Sequence, residues 1–191
     1  MGHSKADKAE SHKRIVKVAA DLFRERGVNG IGLAELMENA QLTHGGFYRH
    51  FGSRDDLVAE AVERALADGS AVATAIAAHP QSTIGSVIDA YLSLAHRDRV
   101  AASCAVTTLA GDIARTGERP RTAYAQQVER YVELIVKLID HLPQKKRRAA
   151  AVTALATLVG AVSMARAVND DKLSREILKS AADALKAQLA A

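Results

Sequence analysis

Apolar residues recur at helical spacing along almost the whole chain of 191 residues, and this periodicity points to a fold built from helices alone. The members of the first apolar stripe are three or four residues apart and share one helix face: Ile15, Val18, Ala19, Leu22 and Phe23. Tryptophan is absent and aromatic residues make up 4% of the chain, which favours closely packed helices over a β-sandwich. We therefore predict an all-α protein of about nine helices.

Capping residues, glycines and prolines divide the periodic pattern into segments. Gly27 follows the first stripe as a C-cap glycine, and Thr43 and Ser53 are suitable N-caps for two later helices. We expect a loop over 116–120 and a helix end at Leu142-Pro143. The predicted helices cover 8–26, 33–39, 43–50, 53–78, 83–97, 99–115, 121–142, 144–168 and 172–190.

Composition argues against several classes of protein. The single cysteine, Cys104, excludes an internal disulfide and a multi-cysteine zinc site. The sequence has no run of 18 apolar residues and no apolar segment near its first residues, so we expect no membrane span, no secretory signal and a cytoplasmic location. It also has no paired carboxylates, catalytic triad, metal cluster or phosphate loop. We expect neither enzymatic activity nor a bound metal or cofactor.

Positive charge is concentrated at the start of the chain. The net charge is +4, and residues 1–54 hold nine basic and six acidic side chains together with four of the seven histidines. Residues 55–64 then add four acids and one base. A basic face for an anionic partner is therefore expected only in the first fifty-odd residues.

The predicted helices 33–39 and 43–50, joined by a very short turn, have the dimensions of a helix-turn-helix. Two adjacent glycines, Gly45 and Gly46, destabilise the second of these helices by about 2 kcal/mol relative to alanine. A helix that brings its backbone against another surface has a reason to carry them. Around the glycines lie hydrogen-bond donors suited to phosphates and base edges, namely Thr43, His44, Tyr48, Arg49 and His50.

The opposite face of this helix is aromatic. Phe47 and Phe51 are four residues apart, so we expect them to anchor together against Phe23 and Leu36. All three phenylalanines of the chain lie within its first 51 residues. This indicates a compact core of its own for the N-terminal part.

This segment resembles the TetR family of bacterial transcription regulators. The resemblance begins with Ile15, Ala19, Leu22, Phe23 and Gly27, and continues through Leu33-Ala34-Glu35-Leu36. It ends with the pattern Thr43-x-Gly45-x-x-Tyr48-x-x-Phe51-x-Ser53-Arg54-x-x-Leu57. The matching residues cover the first quarter to third of the chain, and the rest agrees with the family in length and helical character.

The resemblance implies a DNA-binding domain over 8–54 and a ligand-binding and dimerisation domain over 55–191, connected by the helix that starts at residue 53. It also implies a repressor that binds a palindromic double-stranded DNA operator as a homodimer, with half-sites about 34 Å apart or a little more, and that a small-molecule ligand releases. Thr43 and Tyr48 would contact phosphate. Residues nearest the bases or backbone would be His44, Gly45, Gly46, Arg49 and His50.

Two positions depart from the family pattern. Arg54 stands where the family usually has lysine, and we expect it to bind a phosphate. At the start of the first helix of the motif the family often has Thr or Ser, whereas this chain has Ile31-Gly32. The corresponding phosphate contact is either missing or made by the backbone N–H of Gly32. A chain without that contact could also be a helical interaction module that has lost DNA binding.

The resemblance further implies a pocket for a small-molecule effector and a dimer seam formed by the last two helices. The absence of an acidic cluster favours a neutral, weakly polar effector. The candidate pocket residues are Tyr91, His96, Cys104, Thr107, Thr108, Tyr124, Tyr131 and Met164. The candidate dimer residues are Leu155, Leu158, Val159, Val162, Ile177, Leu178, Ala181 and Leu185.

Cys104 allows two interpretations. The stretch Ser103-Cys104-Ala105-Val106 partly resembles a segment of a TetR subgroup in which the cysteine senses oxidants or electrophiles. Arg97 and Arg99 lie within two helical turns and would lower the thiol pKa. Alternatively, Cys104 is a small buried apolar residue, as free cysteines usually are.

Overall fold

The computed structural model describes residues 5–189, and all regular structure within that range is helical. The all-α prediction is therefore confirmed, with ten α-helices and two 3₁₀ segments in place of about nine helices. The α-helices are α1 (Lys5–Arg26), α2 (Leu33–Asn39), α3 (Arg54–Ala78), α4 (Ile84–Tyr91), α5 (Leu94–Asp98), α6 (Ala105–Thr108), α7 (Ala110–Ile113), α8 (Glu118–Leu138), α9 (Gln144–Ala167) and α10 (Asp171–Leu189). The 3₁₀ segments are His44–Arg49 and Val100–Ala102.

Local capping chemistry sets several helix ends where the sequence predicts them. Gly27 has φ of +78° and ends α1, since its N–H donates to the carbonyl of Phe23 at 2.9 Å. The Ser53 hydroxyl accepts from the N–H of Asp56 at 3.1 Å and caps α3. Two features differ near Thr43: the helix after it is 3₁₀, and its side chain makes no capping hydrogen bond.

The middle of the chain is more broken than its apolar spacing predicts. The predicted helix 83–97 is divided because Ser93 caps a new helix, accepting from the N–H of His96 at 3.1 Å. The predicted helix 99–115 becomes the second 3₁₀ segment, α6 and α7, with Ser103 extended between them. Apolar residues in successive short helices reach the same core, so their spacing alone did not reveal the breaks.

The ends of α8 also differ from the prediction. It begins at Glu118, inside the predicted loop. Pro120 lies in the first turn of the helix, where backbone N–H groups have no acceptor within the helix, so the N–H that proline lacks costs no hydrogen bond. It ends at Leu138 rather than at residue 142. The side chain of Arg147 donates to the carbonyl of Leu142 at 2.7 Å and satisfies the turn that follows.

Two apolar cores organise the molecule. The first contains Phe23, Leu36, Phe47 and Phe51 together, as predicted, and continues from α1, α2 and α3 into α6 and α7. The second lies between α4, α8, α9 and α10. Helix α3 packs against both α1 and α8 and so joins the two cores. Because the first core extends past residue 54, it marks no boundary there, and the division into 8–54 and 55–191 stays a prediction.

Helix α9 is long and strongly apolar. By length and composition Gln144–Ala167 is apolar enough to cross a membrane, although no such segment was predicted. In the structure one side of α9 packs against α8 and α10 within the second core. The other side carries Val152 and Met164, whose exposed fractions are 48% and 59%.

Residues 99–104, which we call the strap, link the two cores through side-chain hydrogen bonds. Arg24 Nε on α1 donates to the carbonyl of Ala101 at 2.6 Å. Arg166 Nη2 on α9 donates to Ser103 Oγ at 2.7 Å, and the Cys104 N–H donates to His96 Nε2 at 3.3 Å. His96 Nδ1 lies 2.6 Å from the carbonyl of Tyr91. These contacts fit a neutral His96 with its proton on Nδ1.

The packing of α3 on α8 generates a first prediction. A Cβ added at Gly69 would overlap the hydroxyl oxygen of Tyr131. We expect Gly69→Ala to lower the free energy of unfolding by about 1–3 kcal/mol by overpacking, although alanine is the better helix former. Chemical denaturation would measure this, and adding Tyr131→Phe should restore part of the loss. Gly85→Ala, whose Cβ has only an ordinary contact at 3.8 Å, is the control and should not destabilise the protein.

His96 generates a prediction about pH. Burial lowers its pKa below 6.5, and the nearby charge of Arg166 acts in the same direction. Below pH 6.5 His96 therefore becomes protonated more readily in the unfolded chain than in the folded one. The contribution of neutral His96 to the free energy of unfolding is complete above pH 6.5 and decreases as the pH falls. We expect denaturation between pH 7.5 and about 5.5 to show a smaller decrease for His96→Gln than for the unmodified chain. Equal decreases would contradict this role.

Candidate nucleic-acid interface

Residues 43–50, which we call the recognition segment, follow α2 after a tight turn. The turn is closed by hydrogen bonds from the N–H of Gln41 to the carbonyl of Glu38 at 2.8 Å and from the N–H of Leu42 to the carbonyl of Met37 at 2.9 Å. Gln41 adopts a positive φ of 57° there. The two elements thus form a compact helix-turn-helix in which the second element is 3₁₀.

Aromatic packing sets the orientation of the recognition segment. Phe47 is completely buried, and its ring stacks on Phe51 with centroids 5.3 Å apart. The neighbouring Tyr48 meets Phe47 edge-on at 5.2 Å, yet 71% of Tyr48 is exposed. Burial of one face therefore turns the other toward solvent. The exposed residues of the segment are Thr43, His44, Gly45, Tyr48 and Arg49, while Gly46 is half-buried.

Packing does not account for the glycines of this surface. A Cβ at Gly45 or at Gly32 would meet no atom within 4 Å, and neither residue has a positive φ. A Cβ at Gly46 would make only an ordinary contact, 3.6 Å from Thr43 Oγ1. The fold would accept alanine at these positions. Glycine there removes bulk from the outside of the motif, where a flat surface could approach the backbone.

His50 is placed differently from its predicted partners. It is half-buried, and its Nδ1 is shielded from solvent without a hydrogen-bond partner. Its ring lies 6.1 Å from that of His12 on α1. Burial lowers the pKa of His50, and the charges of His12, Lys8 and Arg49 lower it further. Its contact with bases stays a prediction.

His12 is a contributor that the sequence did not single out. Its Nε2 lies 2.6 Å from a carboxylate oxygen of Glu60 on α3, and its ring stacks on Phe51 at 4.5 Å. It therefore ties α1 and α3 together beside the end of the recognition segment. Its position three residues before Ile15, on the same helix face, is the only signal that could have indicated this.

Arg54 has a structural role at the edge of the motif. Its Nη2 donates to the carbonyls of Val28 at 2.8 Å and Ile31 at 3.0 Å, and so holds the loop between α1 and α2. Gly32, next to Ile31, is exposed at the N-terminus of α2. A guanidinium has five N–H donors, so these bonds are compatible with a further phosphate contact. The phosphate contact of Arg54 stays a prediction and would be a second role beside this structural one.

A cavity of about 440 Å³ lies between α3, α4, α8, α9 and the strap. Four predicted pocket residues line it: Tyr91, His96, Cys104 and Tyr131. The other four do not belong to its wall. Thr107 bonds the Tyr91 hydroxyl from behind at 2.6 Å, Tyr124 donates to the carbonyl of Val106, Thr108 donates to that of Cys104, and Met164 is exposed on α9.

The cavity wall is mostly apolar, with a polar end near the strap. Its apolar members include Ala65, Val72, Ala73, Ile76, Val87, Leu134, Ile135, Leu155 and Leu158. Burial raises the pKa values of Tyr91 and Tyr131 above their usual range, which keeps both hydroxyls neutral. Arg24 and Asp68 also line the cavity, but they pair with each other at 3.3 Å.

Cys104 is half-buried in this wall, and its thiol lies 3.6 Å from the Tyr131 hydroxyl. Arg97, predicted to lower the thiol pKa, instead pairs with Asp171 at 2.9 Å and with Asp98 at 2.7 Å. Its charge is therefore compensated away from the thiol. Sensing through Cys104 stays a prediction. Among residues 5–189, no group of three His, Cys, Asp or Glu side chains is placed to hold a metal ion.

The predicted dimer residues need a correction, because most of them are already buried within one protomer. Leu155, Leu158, Val162, Leu178 and Leu185 belong to the second core, and the half-buried Val159, Ile177 and Ala181 pack against it. The apolar periodicity in α9 and α10 marks the helix faces that point inward within one protomer, and the dimer seam itself stays a prediction. The exposed large apolar side chains of α9 and α10 are Val152, Met164 and Leu173.

Comparison with known proteins agrees with this geometry. Residues 15–61 match the family model for bacterial regulatory proteins of the tetR family, a range that runs from α1 through the recognition segment into α3. An uncharacterized HTH-type transcriptional regulator of Mycobacterium tuberculosis is 28% identical over 168 residues, which cover 83% of this chain and 85% of that protein. The HTH-type transcriptional repressor BepR of Brucella suis is 37% identical over 65 residues, or 34% of this chain and 31% of BepR.

The similarity in fold extends beyond the helix-turn-helix. A TetR transcriptional regulator from Chloroflexus aurantiacus superposes with a TM-score of 0.79 over 95% of both chains, at 24% identity. A TetR-family regulator from Cytophaga hutchinsonii superposes with a TM-score of 0.77 over 99% of this chain and 98% of that one, at 20% identity. Residues 15–61 thus match the tetR family at the helix-turn-helix, and the fold over nearly the full length is the one seen in TetR-family transcriptional regulators.

Proposed function

We propose that the chain binds palindromic double-stranded DNA as a homodimer, with the recognition segment of each protomer in the major groove. The observation that carries this proposal is the outer surface of the segment. It combines an exposed tyrosine, exposed basic residues and Gly45, whose missing side chain the fold does not require. Hydrogen-bond donors around a stretch of backbone without side chains suit close contact with phosphates and base edges.

The expected roles follow from exposure. Thr43 and Tyr48 contact phosphate, while His44, Gly45, Gly46 and Arg49 lie nearest the base edges and backbone. His50 supports the segment from its half-buried position and reaches DNA only at its edge. The exposed N-terminus of α2 at Gly32 offers a backbone donor for a phosphate.

The exposed faces of α9 and α10 supply the dimer seam. A four-helix arrangement of two protomers would cover Val152, Met164 and Leu173, while small residues on α9 such as Ala156 and Gly160 permit close approach. The side chains buried in each protomer's second core support this face from behind.

The cavity is the effector site. Its apolar wall and neutral tyrosine hydroxyls favour a largely apolar, neutral small molecule, since the charges of Arg24 and Asp68 are mutually compensated. An effector that prefers a conformer with wrongly spaced recognition segments would release the DNA by a population shift. We assign repression rather than activation because BepR, which shares the N-terminal region, is a repressor.

Selection of bound DNA from a random library, with purified protein at two salt concentrations, tests the proposal. We expect a palindromic consensus whose half-sites are about one helical turn apart, with affinity falling as salt increases. No enrichment at either concentration would favour the alternative, a helical module that does not bind DNA.

Gly45 separates the requirements of DNA binding from those of folding. We expect Gly45→Ala to leave the free energy of unfolding unchanged or up to about 1 kcal/mol higher, because the added Cβ meets nothing and alanine favours helical backbone. The same change should weaken binding to the selected DNA at least about tenfold, because the Cβ would separate the backbone from the groove. Fluorescence anisotropy and chemical denaturation measure the two quantities.

Gly117→Ala is the matched control, since a Cβ at this glycine outside the motif also meets nothing within 4 Å. It should leave DNA affinity unchanged. Tyr48→Phe keeps the ring packed on Phe47 and removes only the exposed hydroxyl, so it should weaken binding to every DNA sequence alike. Unchanged affinity in both Gly45→Ala and Tyr48→Phe would show that this surface is not the DNA-binding one.

The dimer seam gives a separate prediction. Met164→Glu places a carboxylate on the exposed face of α9, where dimerisation would remove it from water. We expect the dimer dissociation constant to increase by at least about tenfold in sedimentation velocity. Ala125→Glu, on an exposed position of α8, should leave the dimer intact. A dimer equally stable in both variants would place the seam elsewhere.

A further inference from the structure

Arg24 occupies an unusual position for a charged residue. It lies in the last turn of α1, within the DNA-binding part of the chain, yet only 7% of it is exposed. Its Nε donates to the carbonyl of Ala101 in the strap at 2.6 Å. Its Nη2 lies 2.5 Å from Asp21, and its Nη1 lies 3.3 Å from Asp68 and 3.5 Å from the carbonyl of Ala65. One guanidinium therefore connects α1, α3 and the strap.

The same side chain forms part of the cavity wall. Arg24 lines the cavity together with Asp68 and with three consecutive residues of the strap, Ala102 to Cys104. Every other lining residue that the structure describes belongs to α3 or to a later element. Arg24 is thus the point at which the DNA-binding part reaches the proposed effector site.

The strap is suited to respond to an occupant of the cavity. It contains three residues of 3₁₀ helix followed by the extended Ser103, and side-chain hydrogen bonds from Arg24 and to His96 add to its few backbone hydrogen bonds. Such short segments open at lower free energy than long helices. A molecule that displaces Ala102 or Cys104 must also move the neighbouring carbonyl of Ala101, to which Arg24 donates.

A continuous set of contacts leads from Arg24 to the recognition segment. Helix α1 ends two residues after Arg24, and Gly27 caps it. In the loop that follows, Arg54 donates to the carbonyls of Val28 and Ile31. Arg54 begins α3 directly after Phe51, Gly52 and Ser53. A shift of the last turn of α1 therefore changes the support of α2 and of the recognition segment together.

We propose that Arg24 is a positioning residue that transmits occupancy of the cavity to the helix-turn-helix. An occupant that moves the strap or Asp68 loosens the bonds of Arg24 and lets the end of α1 shift. This inference rests on the proposed function in taking the cavity as the effector site. By linkage, a conformation of the helix-turn-helix that tightens these bonds also makes the cavity less receptive.

Cys104 allows the cavity to be filled at a known point without knowledge of the effector. It is the only cysteine of the chain and lines the cavity, so N-phenylmaleimide modifies a single defined position. The thiol adds across the double bond of the maleimide: the sulfur bonds to one alkene carbon, the π bond of the alkene breaks, and the proton lost by the thiol is balanced by a proton taken up at the adjacent carbon. Intact mass confirms one adduct per chain.

Hydrogen–deuterium exchange of the labelled and unlabelled chain then reports on α1 and α2 in the absence of DNA. In the unmodified sequence we expect labelling to speed amide exchange over 20–39 by about fivefold or more. In Arg24→Lys, which retains the charge near Asp21 and Asp68 but lacks the planar guanidinium that binds three elements at once, labelling should still affect the strap. The effect of labelling on amide exchange over 20–39 should be lost in this variant.

Two further variants separate transmission from simple stabilisation. Asp68→Asn weakens the link of Arg24 to the cavity wall at a carboxylate that is 41% exposed, and should reduce the effect of labelling on 20–39. Arg64→Gln removes the other partner of Asp68, at 2.9 Å, without touching the strap, and should leave that effect unchanged. Thermal unfolding of each unlabelled variant records its stability.

An equal effect of labelling on 20–39 in the unmodified chain, Arg24→Lys and Asp68→Asn would overturn the proposal. So would an effect confined to the strap in the unmodified chain. Because no DNA is present, either result is independent of whether the selection experiment yields a consensus. Failure of the selection alone would refute DNA binding and leave the connection through Arg24 standing.

Discussion

Burial of Phe47 in the first core is the interaction on which the functional surface depends. The ring stacks on Phe51 and shares a core with Phe23 and Leu36, so the recognition segment has one orientation on the domain. That orientation turns Tyr48 outward, although its ring still rests edge-on against Phe47. The apolar face of the segment thus determines its polar face, and the surface proposed to meet DNA follows from packing on the opposite side.

Arginine side chains donate hydrogen bonds to backbone carbonyls in the segments that lie outside the helices or at their ends. Arg24, Arg54 and Arg166 donate to backbone carbonyls in the strap, in the loop after α1 and at the end of α5, respectively. A guanidinium can satisfy several carbonyls at once, which lets the backbone leave the helix without burying unpaired oxygens. The same bonds join the helix-turn-helix to the cavity, so the irregular segments are also the connections between the two proposed sites.

The glycines divide into those that the fold needs and those that it does not. Gly27 has a positive φ at the end of α1, and Gly69 makes room for the Tyr131 hydroxyl. Gly32 and Gly45 have neither reason, since open space surrounds both. Gly45 destabilises a helical segment without serving its packing, which an external partner explains better, whereas Gly32 is the N-cap of α2, where glycine is well tolerated. This contrast lets stability and DNA affinity be tested separately.

The sequence by itself determined the all-α class, the ends of α2, α3 and α9, and the helix-turn-helix with its buried phenylalanines, because these depend on local periodicity and capping. It also brought Tyr91, His96, Cys104 and Tyr131 into one candidate pocket, where the structure places them around a cavity. Tertiary structure alone decided the course of the strap, the inward orientation of Leu155, Leu158 and Leu185, and the position of Arg24. These features depend on partners as far as 77 residues away in the chain, as for Arg24 and Ala101, and a local pattern of residues carries no information about such partners.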